Sequence, residues 1–172
     1  MLIIKPEQRT HQGQVRRIHE LAFGRPQEAA LVDALRSSGS FIRALSLVAQ
    51  LDGQIVGHIL FSRILIKDGD RLYDGVALAP LAVLPDFQQM GIGSQLVRYG
   101  LEKCEELGCK IVVVLGNRWY YTRFGFERAS LYGIVPPFPL DNDEHFMVYA
   151  PNQQVLSQIK GTVLYPQPFE AV

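Results

Sequence analysis

Residues 88–94 read Gln88-Gln89-Met90-Gly91-Ile92-Gly93-Ser94, between an apolar strand-like run and an amphipathic helix-like one. A glycine loop in that place turns backbone N–H groups toward the positive end of a helix dipole, where phosphate oxygens bind. The same glycines also suit a tight turn whose angles other residues adopt with difficulty, and the loop alone leaves both readings open. A dinucleotide fingerprint needs a third glycine where Leu96 stands, and a P-loop needs a lysine before Ser94, so both nucleotide readings weaken. A tyrosine phenol of reference pKa about 10 can give a proton or a strong hydrogen bond to a departing anion. For Tyr121 the structural reading is a core aromatic with a satisfied hydroxyl. His11, His19, His58 and His145 are scattered, and Cys104 and Cys109 form no CxxC, so no metal site is expected. The two cysteines read as small buried hydrophobes, with a regulatory thiol pair as the other reading.

These residues need elements to hold them. Leu2, Ile3 and Ile4 open a short strand, and Val15, Ile18 and Ala22 share one face of a helix from His11 to Phe23. Gly24 and Pro26 break it, and a second helix runs from Gln27 to Ser38 with Leu31, Ala34 and Leu35 at core spacing. The pattern then turns strand-like: Leu45 to Gln50, a turn at Asp52-Gly53, Ile55 to Ile66, and a turn at Asp68-Gly69. A third long strand, Leu72 to Val83, is dense enough in Val, Ala and Leu to be buried on both faces. Its Pro80 has no N–H for a ladder and marks a bulge, an edge or a parting of two strands. The helix after the glycine loop turns Ile92, Leu96, Val97, Leu101, Cys104 and Leu107 inward and stops at Gly108. Ile111 to Leu115 then fits a central parallel strand, so strand, loop, helix and strand form a right-handed crossover. Downstream come a short helix at Trp119 to Arg123, a Phe124-Gly125-Phe126 turn, a loop through Pro136, Pro137, Phe138 and Pro139, and a strand from His145 to Tyr149.

The 172 residues suit a single domain over 1–172 of α/β class. Seventeen Lys+Arg balance 17 Asp+Glu, which removes the bulk basic charge that drives nucleic-acid or anionic-membrane binding. The start, MLIIKPEQRT, has no basic region followed by a long apolar stretch, and two cysteines are too few for a stapled secreted scaffold, so a cytoplasmic protein is expected.

Gln88-x-x-Gly91-x-Gly93 after an apolar strand resembles the acetyl-CoA signature of the Gcn5-related N-acetyltransferase (GNAT) superfamily, Arg/Gln-x-x-Gly-x-Gly/Ala. Tyr121-Thr122-Arg123-Phe124-Gly125-Phe126 looks like that family's Tyr-x-x-x-Gly-Phe element, and the order of elements agrees over nearly the whole chain. The branch resembled is bacterial, its members mostly without assigned substrates.

The resemblance implies a mixed central sheet with an antiparallel N-terminal meander and a parallel crossover, splayed between its fourth and fifth strands. It implies acetyl-CoA as co-substrate, without a metal. Backbone N–H groups from Gln89, Met90, Gly91, Ile92, Gly93 and Ser94 would cradle the pyrophosphate beside Gln88, at roughly 1.5 to 3 kcal/mol for each charge-assisted bond. Leu81, Ala82 and Val83 would pair with the pantetheine arm as if it were an extra strand. A backbone N–H near Val83 would face the thioester oxygen, Asn117 would hydrogen-bond the cofactor, and Tyr121 would be the acid for the thiolate. The acceptor would be an amine: neutralising a lysine-like amine of pKa about 10.4 at pH 7 costs roughly 4.6 kcal/mol, so a base or a desolvating pocket is needed. Many relatives carry a glutamate on the fourth strand where this chain has Val76-Ala77-Leu78-Ala79-Pro80, leaving water, Glu28, Glu144 or His145. A non-catalytic acyl-CoA-binding module is the rival function. Relatives are often dimers, and a homodimer is the corresponding expectation.

Overall fold

Short apolar segments separated by positive-φ turns build the N-terminal sheet. In the computed structural model, which describes residues 1–172, β1 (Leu2–Pro6) lies antiparallel to β2 (Phe41–Leu51), from Leu2 opposite Leu51 to Pro6 opposite Leu47. At the turn into β3 (Gln54–Asp68), Asp52 and Gly53 both take positive φ, 48° and 86°, the combination whose twist matches that of the flanking strands. β2 starts at Phe41, earlier than its apolar run, and its ladder with β3 slips between Phe41 and Ser46 and again between Ala49 and Gln50.

The chain divides into two compact units. The first comprises Met1–Ser62, Ala79–Lys103 and Gln167–Val172. There α1 (Gln12–Phe23) and α2 (Gln27–Arg36) lay Val15, Ile18, Leu31, Val32 and Leu35 onto Val48, Ile55, Leu60 and Ala82, every one buried. Full burial of such side chains stabilises by roughly 1.5 to 3 kcal/mol each, before the entropy of ordering is subtracted. The second unit comprises Arg63–Leu78 and Cys104–Pro166.

In the second unit β4 (Arg71–Val83) follows β3 through a turn at Gly69 and Asp70, one residue later than the expected Asp68-Gly69, since Asp68 is still strand. β4 runs parallel to β5 (Val112–Leu115), pairing Val76 with Val112 and Ala77 with Val113. The ladder ends there, although β4 continues to Val83 and β5 to Leu115, which agrees with the expected splay. On its other edge β5 is antiparallel to β8 (Phe146–Tyr149), and β8 to β6 (Glu127–Arg128). β9 (Gly161–Leu164) pairs with the far end of β3 and, in parallel, with β7 (Ile134–Val135). Ile64, Ile66, Ala77, Ile111, Val113, Phe146 and Val148 form the centre of this unit's core.

Two expectations are corrected. β4 is buried on both faces only from Gly75 to Leu78, because Arg71, Leu72 and Asp74 lie on an exposed stretch. Leu107 is 52% exposed: α3 (Ile92–Glu106) ends just before it, and the terminating turn carries its side chain outward, while Ile92, Leu96, Val97, Leu101 and Cys104 are buried as expected.

Candidate active site

The first unit supplies the glycine loop. Leu84 donates its N–H to Val56 O at 2.8 Å, ending β4, and a 3-10 turn over Pro85–Phe87 leads to Gln88. The Gln88 Nε2 donates to Val83 O at 3.0 Å, so this side chain fastens the loop to the strand end. Gln89 (φ 62°) and Gly91 (φ 80°) both take left-handed backbone, and residues 88–91 are exposed. Helical bonding in α3 begins with Gln95, whose N–H donates to Gly91 O at 3.1 Å. The N–H groups of Ile92 and Gly93 lie ahead of it, where a helix has no internal acceptor to offer. A Cβ placed on Gly91 would meet nothing within 4 Å, which leaves open space beside the backbone. Since residues 88–94 also hold no carboxylate, the arrangement can receive an anion through main-chain donors. Leu81 is half-buried beside the buried Ala82 and Val83 on the last residues of β4.

The second unit supplies Tyr121. Asn117 caps α4 (Arg118–Tyr121), its Oδ1 accepting from the N–H groups of Trp119 at 2.8 Å and Tyr120 at 3.2 Å. The carbonyl end of Asn117 is therefore engaged in positioning the tyrosine helix, and only its amide NH2 is left to meet a ligand. Gly125 (φ 95°) ends the following 3-10 turn and returns the chain so that Phe126 N–H reaches Tyr121 O at 3.4 Å. The Tyr121 ring is 9% exposed and held edge-on by Tyr120 and Phe126, with centroids 5.0 and 5.6 Å away. Burial pushes its phenol above the ordinary tyrosine range, so it keeps its proton at neutral pH, the state an acid needs. Tyr120 instead lies beneath the Arg123 guanidinium, 4.9 Å from its ring centroid.

The three candidate bases differ sharply. Glu28 is buried at 6% exposure and paired bidentately with Arg25, and that pairing holds its carboxyl below the usual range. Glu144 is clamped between Arg118 and Arg128, and Arg118 in particular holds it low. His145, on the turn before β8, has Nδ1 3.1 Å from Gly116 O. A carbonyl only accepts, so Nδ1 carries the hydrogen and, in the neutral ring, Nε2 carries the lone pair.

A buried relay in the first unit was not foreseen. Arg36 forks onto Glu7, Ser46 Oγ donates to Glu7 Oε1 at 3.1 Å and lies 2.9 Å from His58 Nε2, and His58 Nδ1 lies 2.8 Å from His19 Nε2. His19 falls on the same helical face as Val15, Ile18 and Ala22, the one signal that its ring is interior. No group of three or more metal-ligating side chains forms.

The β4–glycine loop–α3–β5 crossover, followed along the chain by the capped tyrosine turn, carries both elements in which the sequence resembles the acetyl-transferring GNAT class. The Acetyltransferase (GNAT) family profile matches residues 13–126. YjhQ, an uncharacterised N-acetyltransferase of Escherichia coli (strain K12), is 43% identical over 135 residues, 76% of this chain and 72% of its own. YhbS, another uncharacterised N-acetyltransferase of that strain, is 35% identical over 149 residues, 86% of each chain. The crystal structure of E. coli YhbS in complex with CoA matches with a TM-score of 0.90 at 30% identity, over 98% of this chain and 92% of that one. A GNAT acetyltransferase from Brucella melitensis in complex with acetyl-CoA matches at 0.78 and 32% identity over 98% of both chains. The chain belongs to the GNAT family of acetyltransferases. It is an acetyl-CoA-dependent N-acetyltransferase. No helix is long and apolar enough to cross a membrane.

Proposed function

We propose that this enzyme transfers an acetyl group from acetyl-CoA to a primary amine by direct attack, with the diphosphate of the co-substrate held on the main chain from Gln89 to Ser94. The observation that carries this reading is the left-handed backbone of Gln89 and Gly91 leading into the N-terminus of α3, where main-chain N–H groups without helical acceptors stand in for the basic side chains that residues 88–94 lack. CoA and acetyl-CoA in the crystals of the YhbS and Brucella relatives support it. The thioester supplies the activated acetyl carbon. The remaining roles fall to this chain: Leu81, Ala82 and Val83 offer strand-edge groups to the pantetheine amides, Val83 N–H faces the carbonyl oxygen, the Asn117 amide NH2 donates to the co-substrate, and the Tyr121 phenol gives its proton to the leaving sulfur. We assign the base to His145 Nε2, since its ring is the one candidate not engaged in an ion pair with arginine. Its oriented tautomer leaves that nitrogen a lone pair for the ammonium proton.

We further read residues 1–172 as a single catalytic domain, because β3 and β4 each contribute residues to both units, and place it in the cytoplasm, where two unpaired cysteines are compatible with reducing conditions. Neither nucleic acid nor a membrane is a partner in this reading, and a homodimer is the arrangement to check by sedimentation.

Titrating the protein with acetyl-CoA by calorimetry tests the core of the proposal. Gly91→Val is the informative variant: its side chain has room, but φ 80° forces the loop to change. A folded variant that loses affinity by about tenfold or more supports main-chain binding, since a single charge-assisted bond is worth about 1.5 to 3 kcal/mol. Unchanged affinity would remove the loop from the site. A screen of amine acceptors then follows.

A further inference from the structure

Cys104 and Cys109 bracket the end of α3, and the turn between them sets them side by side. Gly108 takes φ 79°, its N–H donates to Glu105 O at 3.0 Å, and Cys109 N–H donates to Cys104 O at 2.9 Å. That pair of bonds is the Schellman stop, in which the side chains at the two positions occupied here by cysteines ordinarily make an apolar contact. Here the contact is a hydrogen bond between two thiols.

The two sulfurs are not equivalent. Cys104 is fully buried in the helix, whereas Cys109 is half-buried and open to small solutes. The Cys104 S–H donates to Cys109, and the positive charge of Arg63 adds to it, so the Cys109 thiol is held below its ordinary range. Cys104, as the donor in an apolar setting, is pushed above it. A partly accessible thiol that ionises below its ordinary range, beside a second thiol that stays protonated, is the arrangement of a reactive cysteine with its resolving partner.

We propose that Cys109 is a hydroperoxide-reactive thiol that Cys104 resolves into an intramolecular disulfide. The Cys109 thiolate attacks the hydroperoxide: an S–O bond forms, the O–O bond breaks, and the displaced oxygen leaves as water or an alcohol after taking a proton from solvent. The sulfur is oxidised to a sulfenic acid and the peroxide is reduced. Cys104 sulfur then displaces the hydroxyl from Cys109: the S–S bond forms, the S–O bond breaks, and hydroxide leaves with the Cys104 proton as water. Two electrons have passed from the cysteine pair to the peroxide. The backbone bond from Cys109 to Cys104 already closes the loop that the second step must span, and the Schellman turn sets the two side chains side by side. A dithiol reductant reverses the change.

The test treats the whole reduced protein with hydrogen peroxide near neutral pH, alongside glutathione. Thiol titration and intact mass are read together. The expected result is loss of both thiols with loss of two hydrogens, about tenfold faster than glutathione reacts at pH 7, because more of Cys109 is thiolate. Cys104→Ala should stop at a sulfenic acid on Cys109 that a dimedone probe traps, and Cys109→Ser should leave Cys104 unreacted while circular dichroism shows a native fold. Consumption no faster than that of glutathione overturns the proposal, as does over-oxidation of Cys109 without a disulfide. Reaction of Cys104 in the Cys109→Ser protein overturns it too. The Cys109→Ser result stands alone if Cys104→Ala does not fold.

Discussion

His19 Nε2 and His58 Nδ1 stand 2.8 Å apart, and neither ring has any exposed surface. The order of donors along their chain is dictated from its far end. Glu7, forked by Arg36, only accepts; Ser46 donates to it and accepts from His58 Nε2–H; His58 Nδ1 accepts from His19 Nε2–H. His19 Nδ1 is left as a buried lone pair with no donor in reach. Both rings are thus neutral: protonating His58 would set its Nδ1–H against the His19 Nε2–H, and protonating His19 would leave an unsolvated cation with an unpaired N–H.

Acid should therefore unfold this protein early. Desolvation first, and then the charge of Arg36, lowers His19 to about 4 against the opposing pull of Glu28, and His58 is lowered well below its ordinary value by desolvation, His19 and Arg36. In the unfolded chain both titrate near 6.5. Between the two values the unfolded state binds more protons, so stability is complete above about pH 6.5 and falls as pH drops toward 4. The His19 contribution alone is roughly 3 kcal/mol across that window. Urea unfolding midpoints from about pH 7.5 to about pH 5 check this. A midpoint that does not move would mean the rings are charged or solvated in the native state.

Ser46 is the joint of the same relay. Ser46→Ala removes the hydroxyl that accepts from His58 and donates to Glu7, leaving a buried N–H unpaired at no cost in apolar packing. The loss should be about 1 to 3 kcal/mol in denaturant unfolding, larger than for alanine at an exposed serine such as Ser37. A loss equal to that at Ser37 would argue against the relay.

The crossover was legible from the chain because each part carries a local signal: an apolar run for β4, paired glycines at the loop, a long amphipathic stripe for α3, and Gly108 to stop it. The turn that carries Tyr121 was legible from the likeness of Tyr121-Thr122-Arg123-Phe124-Gly125-Phe126 to the family's Tyr-x-x-x-Gly-Phe element. The strands β6, β7 and β9 were not, since two to four residues give no periodicity and their partners lie far along the chain. The histidine relay was hidden for a related reason. His19 and His58 are 39 positions apart, and only the packing of α1 on β3 joins them. The burial of Glu28 was not legible either: a carboxylate is exposed by default, and only the half-covered Arg25 paired with it lets it lie inside.

Gly116 is where a methyl group would do most harm around Tyr121. An added Cβ would stand 2.5 Å from Cε2 and 3.1 Å from Cδ2 of the tyrosine ring, so the ring must move. Overpacking of this kind costs about 1 to 3 kcal/mol. Displacing a proton donor by a fraction of an ångström to an ångström costs up to about a hundredfold in turnover. Gly116→Ala should therefore lose turnover by tenfold or more, by the same reasoning, while remaining folded and binding acetyl-CoA. Steady-state kinetics beside a thermal melt read both effects, and native turnover in the folded variant would show that the ring position does not matter.

His145 and Tyr121 take opposite parts in the proton transfers, and single substitutions separate them. His145→Gln keeps a polar side chain but removes the Nε2 lone pair that takes the ammonium proton, so turnover should fall by about a hundredfold. Tyr121 must be protonated, and burial holds its proton past the ordinary phenol range, so it contributes no falling limb near neutrality. Tyr121→Phe keeps the ring against Phe126 and Tyr120 and deletes only the hydroxyl. Acetyl-CoA affinity by calorimetry should then stay within about twofold, and kcat should fall by about a hundredfold or more. Turnover near the native value would sink the acid assignment. A loss of affinity with unchanged kcat would instead make the hydroxyl a binding group, because an interaction used equally in ground and transition states moves KM alone.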